Sequence, residues 1–328
     1  MPAPQPTAPT LIDFLAAPLS VGEPDVHGAL AVFPLFGPPP VLQYVAFADA
    51  CARGVVVKEL DGGASVNDLV VVNPTDAAVL LYEGEEVLGA QQNRTFDVSV
   101  LVPASASVRV PVSCVEHGRW DHRRHAEALS PAPQAAYPSL RRMKNAAAGV
   151  RLAAGMEARA EQGAVWDEVA AKASRLGVAS STGAMHDVYE HRRDRLREFE
   201  FAIELHPGQT GALVAIAGRM TVLDHVSRPD AFATLHRPLV QGYALDAIEA
   251  GDSAVVPSLD DAHAFVDHLA HARVTQHDGI GLGRDVRFGE GGLSGAGLIA
   301  GDELVQVTAF AAEDPAPRAR IRRPSSRR

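Results

Sequence analysis

Two stretches of this chain alternate apolar and polar residues with a period of two: Thr95 to Val102 (TFDVSVLV) and Val108 to Val115 (VRVPVSCV), divided by the turn-like Pro103-Ala-Ser-Ala-Ser107. β-Branched residues in that pattern suit a pleated, half-buried surface, so the spacing predicts a hairpin-like strand pair and commits this region to sheet. Val79 to Tyr82 reads as a third strand. Three polar clusters then fall at strand ends: Glu83-Gly84-Glu85-Glu86, Gln91-Gln92-Asn93-Arg94, and Ser113 to Trp120. Segments held there by a rigid sheet are frequent carriers of function. Strict alternation would set Ser113, Val115 and His117 on one face and Cys114 and Glu116 on the other.

Around this centre the pattern predicts an α+β chain. Ala29 to Leu35 and Val41 to Phe47 read as strands joined across the stiff Phe36-Gly-Pro-Pro-Pro40, with further strands at 55–60 and 69–73. Many short strands make residues 25–120 a β-rich N-terminal sandwich or open barrel. Asp121 to Tyr137, broken by Pro131 and Pro133, reads as a loop or lid. A helical middle (140–200) is expected at Leu140 to Ala154, Glu157 to Leu176 and Ala184 to Phe199, and a mixed α/β final third at 201–310. In that third, helices span Asp230 to Ala250 and Leu259 to His271, and Gly301-Asp302 makes a two-residue hairpin turn. The expectation is one large domain over 11–310, between a disordered Pro-rich stretch at 1–10 and a basic disordered tail at 311–328.

A net charge of −10 argues against nucleic acid as a partner, because phosphate backbones are bound by Lys and Arg. Six arginines of the tail, from Arg318 to Arg328, run against that balance and read as a solvated terminus. Cys51 and Cys114, with no secretory leader, read as reduced thiols of a cytoplasmic protein. No apolar run approaches the ~18 residues that cross a membrane.

The chemistry concentrates between Glu83 and Trp120. Glu83, Glu85 and Glu86 could hold Mg²⁺, orient a ribose diol, or supply a base whose pKa like charge raises. Gln91, Gln92, Asn93 and Arg94 add donors, and the guanidinium can bind carboxylate or phosphate bidentately. Cys114 is a candidate nucleophile that needs a base brought in by folding, against the bland reading of an inert buried thiol. Glu116 with His117, His122 and His125 offers a cupin-like metal alternative, although the spacing matches no strict ligand signature. The Gly279-Ile-Gly-Leu-Gly283 run lacks the spacing of a dinucleotide motif and reads as a flexible loop, so the cofactor stays unknown.

On GEEVLGAQQNR (84–94) and PVSCVEHGRW (111–120), and more weakly on VQGYALDAIE (240–249) and LVQVTAF (304–310), the chain resembles the ADP-ribosylglycohydrolase and rhodanese-phosphatase associated protein family. The resemblance implies a place in NAD or ADP-ribose metabolism, a nucleotide or sugar-phosphate partner, and hydrolysis of an ADP-ribose-related compound as the reaction class to consider. It carries over Glu85, Glu86, Gln92, Asn93, Arg94, Ser113, Cys114, Glu116, Gly118, Arg119 and Trp120 as site residues, without individual roles. Chemically, Arg94 and Arg119 suit phosphate, Trp120 a base, and Glu86, Glu116 or Cys114 the reacting centre. A non-catalytic ligand-binding or scaffold protein and a cupin-like metalloenzyme stand as alternatives.

Overall fold

The computed structural model describes residues 8–312 except 252 and 254. The disorder expected for the first seven residues and the basic tail from residue 313 lie outside the described residues. Pro9 and Thr10 are tied down: the Pro9 carbonyl accepts from Val274 N, and Thr10 bridges to Arg273.

The architecture is α+β, and three sheets carry it. Among the described residues six antiparallel strands close a barrel in the order Ala106–Cys114, Asp68–Asn73, Val56–Lys58, Leu129–Ala135, Glu85–Gly89 and Arg94–Phe96. Closure removes the exposed edges that an open barrel would leave. A nine-stranded antiparallel sheet gathers five strands from the first and last parts of the chain at its centre: Leu30–Phe36, Gly211–Ile216, Arg219–Val226, Glu303–Ala311 and Leu293–Ala300. A small sheet of Val100–Val102, Ala78–Leu81 and Tyr44–Ala46 lies beside them.

Three local readings are corrected. Leu30–Phe36 and Tyr44–Ala46 are strands but belong to different sheets; the first pairs with Gly211–Ile216 and the second with Ala78–Leu81. The alternating run 95–102 is cut in two, with Arg94–Phe96 in the barrel against 112–114 and Val100–Val102 in the small sheet. Asp121 to Tyr137 is not all loop, because Leu129–Ala135 is a barrel strand. Its prolines fit because the register against Glu85–Gly89 shifts between Pro131 and Ala135, and such irregularities tolerate residues without an N–H.

The helices come where their periodicity places them: Pro138–Ala153, Gln162–Arg175, Pro229–Ala250 and Leu259–Ala270, with the charged 184–199 segment divided into Met185–His191 and Arg193–Ala202. Alternation gives the large sheet two apolar faces. Leu30, Val32, Ala212 and Val214 pack with Phe232 and Leu235 of the long helix; Ala31, Phe33, Leu213 and Ala215 pack with Val266 and Leu269. The barrel interior is filled by Val57, Leu69, Val71, Val87, Phe96, Val110 and Val112. The Gly279–Gly283 run is not free of the body: Gly281 abuts the Leu101 carbonyl so closely that a Cβ would sit 2.2 Å from it, and Leu282 N donates to the same oxygen at 2.7 Å.

One charged cluster links these layers. Arg141, fully buried on the Pro138–Ala153 helix, donates from Nε and Nη2 to Glu83 Oε1 at 3.0 and 2.6 Å and from Nη1 and Nη2 to the two Asp224 oxygens at 2.9 and 2.6 Å. Tyr82 and Tyr243 each donate a hydroxyl to Asp224 at 2.6 Å. Burial works against the charge on Arg141, but Asp224 and Glu83 outweigh it and hold its pKa well up; burial likewise opposes ionisation of Asp224, and Arg141 pulls it below the usual carboxylate range. Gly84, at φ +86°, leaves the space: a Cβ there would lie 2.8 Å from Arg141 Cδ. Arg141→Met strips two buried carboxylates of their cation and should destabilise the protein by about 3–5 kcal/mol. Urea unfolding checks this, and a midpoint shift worth under about 1 kcal/mol would mean the cluster is peripheral to stability.

Candidate functional site

The site is built where strands Glu85–Gly89 and Arg94–Phe96 join. Gly89 (φ +120°) and Ala90 (φ 42°) turn the chain through a left-handed conformation into the Gln91–Asn93 loop. Glu116 and Arg119, arriving after strand Ala106–Cys114, clamp that loop. Glu116 Oε2 accepts from Asn93 N at 3.1 Å and pairs with Arg119 Nη2 at 2.6 Å. Arg119 also donates to the Ala90 carbonyl at 2.8 Å and to Asn93 Oδ1 at 2.9 Å, while Gln92 Nε2 donates to the Glu116 carbonyl at 3.2 Å. Gly118 is where the backbone must come close: its N donates to the Thr182 carbonyl at 2.6 Å, and a Cβ would lie 2.8 Å from that oxygen.

Glu86 lies on the neighbouring strand, buried, with Oε2 accepting from Gln134 Nε2 at 2.6 Å. The same amide nitrogen stands 2.8 Å from His186 Nδ1. Burial pushes the Glu86 carboxyl up to about 8; the Gln134 bond opposes this, and the charges of Glu116 and Asp187 add to it. At neutral pH Glu86 therefore carries a proton. Its Oε1, like Gln91 Oε1, Gln92 Oε1 and Gln134 Oε1, has no hydrogen-bond partner among the described residues.

On the register that pairs Arg94 with Val87 and Cys114, a second group forms at the barrel end. Arg94 is fully buried, 4.0 Å from Glu59 and 5.7 Å from the centre of the Trp120 ring. Its Nε and Nη2 and both Glu59 oxygens lack hydrogen-bond partners among the described residues. Burial lowers the Arg94 pKa and raises that of Glu59, each moderated by the other's charge. Gln91 Nε2 lies 3.1 Å from His125 Nδ1.

The other expected residues have local partners. Glu85 accepts from Tyr82 N at 2.7 Å, and burial pushes its carboxyl up to about 8. Ser113 donates to Asp97 at 2.6 Å, and Asp97 pairs with Lys144 at 3.1 Å. The Cys114 thiol is buried and its pKa raised by that burial against the pull of Arg94; its sulfur accepts from Glu116 N at 3.4 Å. His117 stacks on Trp166, His122 meets the edge of Trp120 and His125 turns to Gln91, so the cupin-like set does not converge; the described residues hold no group of three or more metal-ligating side chains. Glu59, Gln134 and His186 were missed from sequence. Gln134 sits in the Pro-broken stretch that reads as loop, and neither Glu59 nor His186 stands in a motif.

The family model described as the ARG and Rhodanese-Phosphatase-superfamily-associated Protein domain matches residues 18–310. No curated protein and no solved structure matches the chain. Among the described residues no helix is long and apolar enough to cross a membrane.

The raised pKa of Glu86 has a stability consequence of definite sign. With a folded value of about 8 against an ordinary 4.5, the native state holds an extra proton between the two. Its contribution is complete below the lower value and is lost as pH rises through the upper one, at up to about 1.4 kcal/mol per pH unit. Glu86→Gln should flatten the decline of unfolding free energy between pH 5 and 8; an unchanged slope would mean that Glu86 is already ionised.

Proposed function

The chain belongs to the ARG and Rhodanese-Phosphatase-superfamily-associated Protein domain family, and on that premise we propose that it binds an ADP-ribose-like or phosphorylated-sugar nucleotide at the Glu86–Glu116 cluster and hydrolyses it at the sugar. The observation that carries this reading is the unequal state of two neighbouring carboxyls: Glu86 protonated with a pKa of about 8, Glu116 ion-paired with Arg119 at 2.6 Å. Paired carboxyls in different charge states are what glycoside hydrolysis uses, one as acid and one as base. Glu86 gives its proton to the leaving-group oxygen as the bond to the anomeric carbon breaks. Glu116 takes a proton from the water that attacks that carbon. Gln134 holds Glu86 by Oε2, so the proton rests on Oε1, which is buried and has no partner among the described residues.

The unpartnered oxygens of Gln91, Gln92 and Gln134 are acceptors, and hydroxyl donors of a sugar complement them, while the protonated Glu86 offers a donor at Oε1. Arg94 is the group with N–H donors to spare, while Arg119 is spent on the loop. Cys114 has no step here, because its buried thiol is held away from the thiolate. One observation favours a second, non-catalytic reading: Glu116 and Arg119 both brace the Gln91–Asn93 loop, which a purely structural network would also require.

Thermal-shift titration with ADP-ribose, NAD, AMP and ribose 5-phosphate, followed by assay of any binder for release of its sugar, separates the two. The hydrolase reading expects a shift for at least one compound, retained in Glu86→Gln, with turnover reduced by roughly 10²–10⁴-fold. Absence of any shift, or full turnover in Glu86→Gln, would sink it in favour of the structural network.

A further inference from the structure

Gln134 is bonded on two sides. One residue on from the Ala135–Glu85 pair it faces Glu86, and its amide nitrogen lies 2.6 Å from Glu86 Oε2 and 2.8 Å from His186 Nδ1. His186 belongs to helix Met185–His191, where Tyr189 follows at i+3 on the same face and donates its hydroxyl to the Ala135 carbonyl at 2.7 Å. One helix face thus holds two consecutive residues of the strand. The start of that helix is fixed in turn: Met185 N donates to the Val115 carbonyl at 2.8 Å, and Ala184 N to Ser180 Oγ at 2.9 Å.

A carboxamide has two orientations about its last torsion, and they make opposite demands on these neighbours. With nitrogen inward, one N–H goes to Glu86 Oε2 and the other to a bare His186 Nδ1. With oxygen inward, the carbonyl needs a proton on Oε2 and another on Nδ1. The first arrangement serves Glu86 whether its carboxyl is charged or neutral, because Oε2 accepts in both states. The second holds only while Glu86 keeps its proton. An acid that gives up its proton and recovers it in each cycle is suited by the first.

The charges around the pair agree with nitrogen inward. Burial lowers the His186 pKa, Asp187 and Glu116 oppose this, and Arg193 adds to it, so the ring is uncharged at neutral pH. The two acidic neighbours of Glu86 are themselves engaged, Asp187 by the Ser180 hydroxyl at 2.6 Å and Glu116 by Arg119.

We propose that His186 is a positioning residue for Glu86: by accepting from Gln134 at Nδ1 it keeps an amide N–H on Oε2 and so confines the acid's proton to Oε1. The value of this to catalysis rests on the hydrolase reading of the Glu86–Glu116 cluster; the orientation of the amide does not.

Solution NMR of the full chain tests the orientation without any substrate, so its outcome is separable from that of the hydrolase reading. With isotope-labelled histidine, the His186 ring at neutral pH should show Nδ1 bare and the proton on Nε2; a proton on Nδ1 would overturn the proposal in the parent protein itself. In His186→Phe the amide is free to turn its carbonyl to Glu86, which favours the neutral acid. The Glu86 titration, followed at its carboxyl carbon, should then move up by about half a pH unit or more. His186→Asn, whose side-chain oxygen can take the place of Nδ1, should restore the parent midpoint. In a Gln134→Leu background, adding His186→Phe should leave the Glu86 midpoint where Gln134→Leu alone puts it, because the effect travels through the amide. An unmoved midpoint in His186→Phe, no rescue in His186→Asn, or an equal shift with Gln134 replaced would each mean that His186 only packs against the strand, and would sink the proposal.

Discussion

A guanidinium with no access to water is tolerable only if its charge is matched on every side, and Arg141 meets that condition by drawing partners from three layers. Glu83 follows the small sheet and leads into the barrel, Asp224 belongs to the large sheet, and Asp224 in turn accepts from Tyr243 of the long helix that covers it. None of these elements could slide relative to the others without leaving a buried charge unpaired. The cluster thereby fixes how the barrel sits against the rest of the protein, a specification that apolar packing alone leaves looser.

The candidate site inherits its position from this anchor. Glu83 and Gly84 are pinned at Arg141, so the strand that begins at Glu85 starts from a fixed point. Three acidic residues of one short run then part: Glu83 to the ion cluster, Glu85 back onto the Tyr82 amide, Glu86 to Gln134 beside the loop that Glu116 braces. The register shift in strand Leu129–Ala135 falls between Pro131 and Ala135, the span that holds Gln134, and that strand runs into the Arg141-bearing helix. Stability and the proposed chemistry are thus laid on adjacent residues of the same strands.

Much of the candidate site, as a cluster of side chains, was legible because those side chains are adjacent in sequence. The GEEVLGAQQNR and PVSCVEHGRW runs contain Glu86, the clamped loop and both clamping residues, and the structure brings those runs together through the pairing of 94–96 with 112–114. Legibility ended where partners come from remote chain. Glu59, Gln134 and His186 reach the cluster only through barrel closure and helix docking, and each stands in a segment whose local pattern carries no sign of a site.

Local chemistry was enough to determine the α+β class, the helices with apolar faces, the Gly301-Asp302 turn, and the Glu83–Trp120 concentration of polar groups, because periodicity and turn propensity act over a few residues. Which strands pair is a long-range question, and periodicity does not answer it. A period-two pattern states that a strand has an inner face but not whose edge it meets, so the division of 95–102 between two sheets and the pairing of Leu30–Phe36 with a strand some 180 residues away were decided by the fold as a whole. Charge states were decided there too: Glu85 and Glu86 hold protons to about pH 8 because the folded chain removes them from water, which no sequence neighbour can do.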